Sequence, residues 1–539
     1  MSLQVSNVEI PIEEGFSSEI LSKYVSDKLG VPQEVIKSLE IKKKSLDARR
    51  KSRIKYVYQL HIEIDGEDSV IEKSQTSDVI RTPEVKSFNP VDGLDLASKV
   101  LNTPPVIIGS GPAGIFAALA LAEAGQRCII VERGEPVETR MRTVGRLRRN
   151  GQFEEESNFC FGEGGAGTFS DGKLTCGRNH PLVRYLFEKW VEFGAPEDIL
   201  YNAHPHIGTD YLMVLAKNMR TYLESRGCKF IFGTRFEDFK VGASARYEVA
   251  LSNGDRIETD HLVMAIGHSA RDTYRLLLDR GLAIQPKPFA IGARFEHPQE
   301  DIDRIQYGSC ALLPAAEYKL AARAGDRGIW TFCMCPGGLL MPTGAQPGHL
   351  AINGMSYHAR NSGFANAAVV VNVNREDFYR GHVLDGVTFQ ENIEKAAFAA
   401  GGGNYFSPAQ RLTDFLKGRD SKGELESTYK PGVTAARIDK LLPKFVVDSL
   451  KGALGEYNKK MHGYISERAI VAGVESKTSS PIVMTRDAKL MSVSHPGLYP
   501  CGEGAGFAGG IVSASLDGVK VARALLENAL EDRLFQNLH

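Results

Sequence analysis

Val106-Ile107-Ile108-Gly109-Ser110-Gly111-Pro112-Ala113-Gly114 decides the reading of this chain, because it carries a short apolar strand through a glycine turn into an alanine-rich helix. Gly109 permits the sharp turn, and Gly111 lets the backbone approach a pyrophosphate with no Cβ in the way. Gly114, with Ala117 and Ala118 one turn later, lets the helix pack closely on its own strand. Pro112 and Ala113 open that helix, whose free amides and positive dipole end favour an anion. Gly125 closes the helix, 127–131 reads as the next buried strand, and Glu132 at its end, followed by Arg133, is placed for ribose hydroxyls. The combination predicts a site for an ADP-containing cofactor.

Glycine spacing alone does not separate FAD from NAD, so the far end of the chain decides. Gly497-Leu498-Tyr499-Pro500-Cys501-Gly502-Glu503-Gly504 is a strand entering a glycine loop, and Gly509-Gly510-Ile511 opens a helix that runs through 513–526. In a split nucleotide domain this strand returns beside the first, and the helix N-terminus meets the electron-rich edge of a flavin. Gly502, Glu503, Gly509, Gly510 and Ile511 are therefore expected at the cofactor. Residues 260–268 read as a further buried strand ending in a glycine turn at Gly267.

These motifs, with Ser45-Leu46-Asp47-Ala48-Arg49, 161–174, Cys333-Met334-Cys335-Pro336-Gly337-Gly338 and Asn353-Gly354-Met355-Ser356, run over nearly the whole chain. Together they resemble the flavoproteins of the glutathione-reductase superfamily, and within them the bacterial FAD-utilising dehydrogenases. The resemblance implies bound FAD, a nucleotide domain split by an inserted substrate domain, and hydride transfer at flavin N5. One departure stands out: Glu503 occupies a position where the wider superfamily carries Asp, which moves its expected contact from the ribityl toward the phosphate side.

At 539 residues, 42% of them hydrophobic, the chain can bury two or three cores. A net charge of −1 gives no global attraction to nucleic acid or an anionic membrane. Neither a run of ~18 apolar residues nor a signal-like N-terminus occurs, and eight scattered cysteines suit reduced thiols, so a cytoplasmic enzyme is expected.

The fold class read from this pattern is α/β: a split Rossmann-like FAD-binding domain, an inserted mixed-sheet substrate domain and a small N-terminal α+β module. The expected boundaries are 1–100 for the module and its linker, 104–280 and 461–539 for the two parts of the FAD domain, and 281–460 for the insertion. Within the module, strands are expected over 3–10, 35–41 and 53–64 and a helix over 17–29, while 65–99 reads as a polar strap. In the insertion, strands are expected over 289–295, 329–335, 350–357 and 367–373, and helices over 389–400, 410–416 and 438–450. No second strand, glycine turn and helix unit follows 134, so NADH or NADPH, if used, must visit the substrate cleft and leave.

Several residues are candidates for chemistry beside the flavin. The loop 162–174 has glycines suited to a planar ring or phosphate: Gly165, Gly167 and Ser170 are expected at the cofactor, and Lys173 at the cofactor or as a donor to a substrate carboxylate. His268 and His358 fall at expected strand ends, as does His349, where a proton donor or acceptor reaches the cleft; a hydrogen-bonded structural histidine is the competing reading. Five arginines over 140–149 suit either an anionic ligand or a solvated helix face. Cys333 and Cys335 would share one strand face, which leaves a redox pair or ordinary packing open. No convergent set of four ligands is visible, so no metal site is expected. The basic run 42–55 carries eight positive charges and one acidic residue, a solvated hairpin or a docking site for RNA, an acidic partner protein or an anionic lipid.

Two functions follow. The first is an FAD-dependent oxidoreductase acting on a small-molecule substrate. The alternative is an RNA-modifying flavoprotein that presents a nucleoside through the basic module. DNA and a membrane span are not expected, and the oligomeric state is not written in one sequence.

Overall fold

The computed structural model describes residues 2–538 apart from 75, 84–87, 95, 97–100, 176, 178–179 and 309–312, and the backbone alone over 534–538. The chain is an α/β protein organised around a parallel, Rossmann-like sheet. Its strand order is Leu498–Pro500, Leu262–Met264, Val106–Ile108, Ile129–Val131, Lys229–Ile231. All four ladders are parallel, so the last strand of the chain lies beside a strand 236 residues earlier and one place from the first glycine turn.

Val106, Ile107, Ile130, Val263 and Leu498 are fully buried, because a parallel sheet is covered on both faces and therefore reads as continuous apolar runs. One covering layer is the helix Pro112–Glu123, whose alanines leave room for the long C-terminal helix Ile511–Leu538. The two helices touch backbone to backbone: a Cβ on Gly518 would lie 2.1 Å from the Ala113 carbonyl oxygen.

A seven-stranded, mostly antiparallel sheet forms the second layer system, with Phe289–Pro298 at its centre between Phe364–Val373 and Ile470–Glu475. Its large apolar face, Phe289, Ile291, Ala293 and Phe295 beside Val369 and Val371, packs under helices. Each such side chain contributes about 1.5–3 kcal/mol on burial. The opposite face is small, with Ala290, Ala368 and Val370 under half-buried Trp330 and Phe332, and this face looks toward the parallel sheet's glycine loops. The strand Ile470–Glu475, in the segment expected to belong to the nucleotide domain from 461 onward, is hydrogen-bonded into this seven-stranded sheet. The chain rejoins the parallel sheet at Leu498.

Two expectations in the insertion change. The single helix over 438–450 is two, Ile438–Leu441 and Lys444–Lys460, because Pro443 has no N–H to continue the first and caps the second. Residues 407–411 form a strand before the helix Leu412–Lys417 begins.

The N-terminal module is β-α-β-β-α-β with sheet order fourth, first, third, second strand, a split βαβ arrangement. The strap expected over 65–99 therefore holds the helix Glu67–Lys73 and the edge strand Val79–Arg81, which pairs with Leu3–Val5; positions 75, 84–87, 95 and 97–99 lie outside the described residues. Tyr58, Leu60 and Ile62 face the helices and are buried, whereas Val57, Gln59 and His61 lie on the open face. Nucleic-acid platforms stack bases on aromatic rings, and the open face of this central strand carries none but His61. Within the basic run, Lys44 is a docking residue: it lies over the Phe16 and Tyr56 rings at 5.0 and 4.7 Å, and its backbone bonds Tyr201 and Ala203.

Candidate functional site

The two layer systems enclose one cavity of about 830 Å³. At its first end lie Gly109, Gly111, Pro112, Ala113, Glu132 and Arg133, from the first strand-turn-helix unit. Gly267 and His268, just past the strand Leu262–Met264, and Glu503, Gly509, Gly510 and Ile511 from the last strand and helix, form an adjoining wall. Gly165, Gly167, Ser170 and Lys173 line the middle, and Trp330 and Cys333 from the seven-stranded sheet, with Asn353 from the two-stranded ladder of Leu339–Pro342 and Ile352–Met355, close the far side.

The turn at Gly109 requires glycine on two counts. Its φ is +104°, and a Cβ there would lie 2.3 Å from the Ala265 carbonyl oxygen. Gly111 is different, with φ −71° and nothing nearer to a Cβ than the Gly165 Cα at 3.8 Å. Its missing side chain is therefore space on the cavity side, not a need of the fold. Gly114 and Gly502 stand behind the wall: a Cβ on Gly114 would strike the Gly109 carbonyl at 2.0 Å, and one on Gly502 would meet the Ala113 Cβ at 2.6 Å. Both act on packing beneath the site.

Glu132 lies on the wall, yet its carboxylate is already served by protein donors. One oxygen accepts from the Ser110 amide and hydroxyl at 2.9 and 2.8 Å, and the other from the amides of Gly134 and Gly162 at 3.0 and 2.9 Å. It staples the first glycine turn to the 162–174 loop. Arg133 is occupied likewise, paired with Glu156 at 3.2 Å and with Asp272, its guanidinium 4.4 Å from the Phe161 ring. Of the five arginines over 140–149, Arg140 is fully buried and donates to the carbonyls of Asn158, Glu163 and Gly165, which fixes the glycine loop; Arg142, Arg146 and Arg149 are exposed.

At the middle of the cavity Lys173 donates to Asp171 at 2.7 Å, and Arg360 donates to the same oxygen at 2.9 Å. The other Asp171 oxygen accepts from the Ser356 hydroxyl. Burial pushes the Asp171 carboxyl up, but the two cations and their hydrogen bonds hold it well below the usual carboxylate range. Burial likewise disfavours charge on Lys173, and Asp171 more than reverses it, so the ammonium stays protonated. Lys173 is thus a proton and hydrogen-bond donor, not a base.

His268 Nδ1 lies 3.1 Å from Glu503 Oε1, joining the turn after Leu262–Met264 to the last glycine loop. Its Nε2 is buried, has no partner among the described residues and belongs to a residue on the cavity wall. A buried polar atom without a partner asks for one from a ligand. With Nδ1 turned to the carboxylate, Nε2 is left to meet a ribityl or ribose hydroxyl. The cleared space over Gly111, the N-terminal end of the helix Pro112–Glu123 and this nitrogen fit FAD.

His358, expected at the cleft, is not on the cavity wall. Its Nδ1 is 3.1 Å from the Ile207 carbonyl, its backbone amide donates to Asp210, and its ring stacks on His206 at 5.0 Å. The strand before it ends at Met355, so residue 358 sits in a turn facing another loop. His349 is also off the wall, its Nδ1 beside the Pro347 carbonyl. Missed by sequence reasoning were Arg360 and Lys477. The Lys477 ammonium, buried on the wall, bonds the Ser269 hydroxyl at 3.1 Å and the Cys160 sulfur at 3.4 Å. Lys477 follows the strand Ile470–Glu475 by two residues, and no motif marks it.

Comparison with known proteins agrees with this geometry. Residues 105–143 match the FAD binding domain family, 288–478 match the family described as FAD-dependent protein, C-terminal domain-like, and 2–63 match a domain of unknown function. A Clostridium beijerinckii protein described as "Uncharacterized protein" is 39% identical over 534 residues, 98% of this chain and 99% of that one. Among solved structures, CmlS, a flavin-dependent halogenase, is similar at 14% identity and TM-score 0.36 over 81% of this chain and 60% of its own. A flavoprotein/dehydrogenase from Cytophaga hutchinsonii is similar at 13% identity and TM-score 0.35 over 79% of each chain. No helix among the described residues is long and apolar enough to cross a membrane. The chain belongs to the family of the clostridial protein, and it is an FAD-binding flavoprotein.

Proposed function

We propose that this flavoprotein is an oxidoreductase, a dehydrogenase or a reductase, which moves a hydride between FAD and a small-molecule substrate lying against the 330–334 wall. The observation that carries the reading is the continuity of the cavity: the glycine turns of the parallel sheet and the small face of the seven-stranded sheet border one space. A cofactor filling the first end leaves its reactive end beside the second sheet.

Bound FAD supplies two-electron chemistry at its isoalloxazine ring. The chain's residues do the rest. The amides at the start of the helix Pro112–Glu123 receive the diphosphate, and Glu132 acts as a positioning residue that holds the turn and the 162–174 loop together. His268, oriented by Glu503, receives a hydroxyl. The N-terminal end of Ile511–Leu538 favours negative charge on whatever lies against Gly509 and Gly510. Lys173 offers its ammonium to a substrate or to the cofactor, and buried Lys477 adds a second cation that steadies an anion in a water-poor site. The absence of a second nucleotide-binding motif in the sequence supports NADH or NADPH as a visitor to this same cavity.

Anaerobic mixing of FAD-loaded protein with NADH, NADPH and a panel of metabolites, followed at the flavin absorbance band, tests the reading. At least one should bleach the band within seconds. A flavin that dithionite reduces but no biological reductant touches would count against it.

A further inference from the structure

Three stretches of sequence, 161–174, 333–338 and 353–356, meet at the far side of the cavity around one guanidinium, that of Arg360. The first brings Asp171 and Lys173, the third Asn353 and Ser356, and the second Gly337. Arg360 has φ +48°, a left-handed backbone that a non-glycine residue holds at a local energetic cost. A Cβ on Gly337 would lie 1.7 Å from the Arg360 carbonyl oxygen, so the loop sits where it does only because residue 337 has no side chain. Strain at one position and glycine at another hold Arg360 on the cavity wall, beside Lys173.

What this assembly leaves over is hydrogen-bond donors. Asp171, wholly buried behind the wall, accepts from Lys173 and Arg360 on one oxygen, at 2.7 and 2.9 Å, and from the Ser356 hydroxyl on the other. The side-chain oxygen of Asn353 accepts from Arg294 and from the Gly354 amide. Against these filled acceptors, Arg360 Nε is buried with no partner among the described residues. The Lys173 ammonium has hydrogens beyond the one it gives to Asp171, and Asn353, its oxygen taken, has only its NH2 to offer. Glu317 stands 4.0 Å from Arg360 Nη1 but is itself paired with His204, whose imidazole it pushes toward the charged form; Lys319 on the same wall is exposed. Lys173, Arg360 and Asp171 together leave one net positive charge on this side of the cavity.

We propose that the far side of the cavity is a carboxylate site: the substrate is an organic acid whose carboxylate sits on Lys173 and Arg360 and whose apolar body lies along Trp330 and Phe332. An ionised carboxyl group only accepts hydrogen bonds, and its two oxygens match the donors left over here. One negative charge balances the excess, whereas a phosphate dianion brings more than the site offsets. Asp171 is a positioning residue, fixing both cations from behind so that little side-chain freedom is lost when the acid binds. The half-buried Trp330 and Phe332 rings supply an apolar surface on the same wall. The inference rests on the reading that FAD fills the first end of the cavity and a small molecule the far side, and it adds the chemical class of that molecule.

The test is calorimetric titration of the full-length, FAD-loaded protein, with no reductant present, using trans-cinnamate and hexanoate, each beside its neutral amide, and phenyl phosphate. Each acid should bind at least about tenfold tighter than its amide, the effect of one charge-assisted hydrogen bond. In Arg360→Met the acids should lose about tenfold while the amides stay within about twofold, a split that mere loosening of the fold would not produce. Arg360→Lys keeps the charge but removes Nε and should fall between. Should a variant fail to fold, the acid and amide affinities of the parent decide the matter. Acids and amides that bind alike, no binding of either acid at about 10 mM, tighter binding of phenyl phosphate than of both acids, or an Arg360→Met protein that keeps the full preference for acids overturns the proposal. Because binding is read without turnover, a site that selects acids beside a flavin that no biological reductant bleaches would refute hydride transfer and leave the carboxylate site standing.

Discussion

Gly109 and Gly111 stand two residues apart in one turn, yet the structure assigns them different work, and alanine at each position separates the two. In Gly111→Ala the backbone is unstrained at φ −71°, and the added methyl meets only the Gly165 Cα at 3.8 Å, an ordinary contact. The flavin-free protein should therefore keep its stability within about 0.5 kcal/mol. The methyl instead enters the cavity where the diphosphate approaches the helix amides. Displacing one charge-assisted hydrogen bond costs roughly 1.5–3 kcal/mol, which raises the FAD Kd by about 10- to 150-fold. In Gly109→Ala the residue keeps φ +104° only under strain, about 1–3 kcal/mol, and its methyl starts 2.3 Å from the Ala265 carbonyl oxygen, so backbone must shift as well. That variant should lose stability even without FAD. Urea unfolding of the flavin-free proteins and fluorescence titration with FAD measure the two effects. If Gly111→Ala binds FAD like the parent, or unfolds as easily as Gly109→Ala, the reasoning about this turn is wrong.

Other outcomes follow from neighbouring geometry. His268→Leu removes the unpartnered cavity nitrogen and should weaken FAD about tenfold while barely moving unfolding, as titration would show. The chain has two tryptophans, Trp190 in the helical core and Trp330 on the cavity wall, so Trp330→Phe should abolish most of the fluorescence quenching that FAD causes; retention of full quenching would place the ring elsewhere. Arg271 and Glu394 form a fully buried pair at 2.7 Å, and Arg271→Met should destabilise by about 3–5 kcal/mol in urea unfolding. Burial drives the Glu394 carboxyl up, but Arg271, Lys477 and Ser476 hold it down at about 2. Because that lies below the unfolded value, its stabilisation is complete above about pH 4.5 and fades as pH falls from there toward 2, a loss that Arg271→Met should flatten.

The nucleotide fold was legible because its signals are local: the strand, turn and helix over 106–123 need only glycine sterics and small side chains, and 498–500 repeats the pattern. The module's second half was not. The helix Glu67–Lys73 has seven residues, too short to show a period, and Val79–Arg81 is a strand only because Leu3–Val5 offers it an edge. The cavity walls were half legible. Residues next to glycine motifs, such as Lys173, His268 and Glu503, could be guessed, but Arg360 reaches Asp171 across 189 residues and Lys477 reaches Cys160 across 317, and nothing in a linear pattern announces such meetings. His358 was misplaced because pairing stops at Met355, three residues short of it, and nothing in Ser356-Tyr357 marks that end. Glu132 shows the subtler limit: its position followed from the motif, while the four protein donors that fill its carboxylate come from three separate segments.

The most direct measurement is a crystal structure of the protein saturated with FAD. The account predicts the diphosphate against the amides of residues 111–113, a ribityl or ribose hydroxyl at His268 Nε2, and the isoalloxazine ring between Gly509–Gly510 and the 330–334 strand. A cavity that stays free of flavin at saturation, or a ring turned away from that strand, would contradict it.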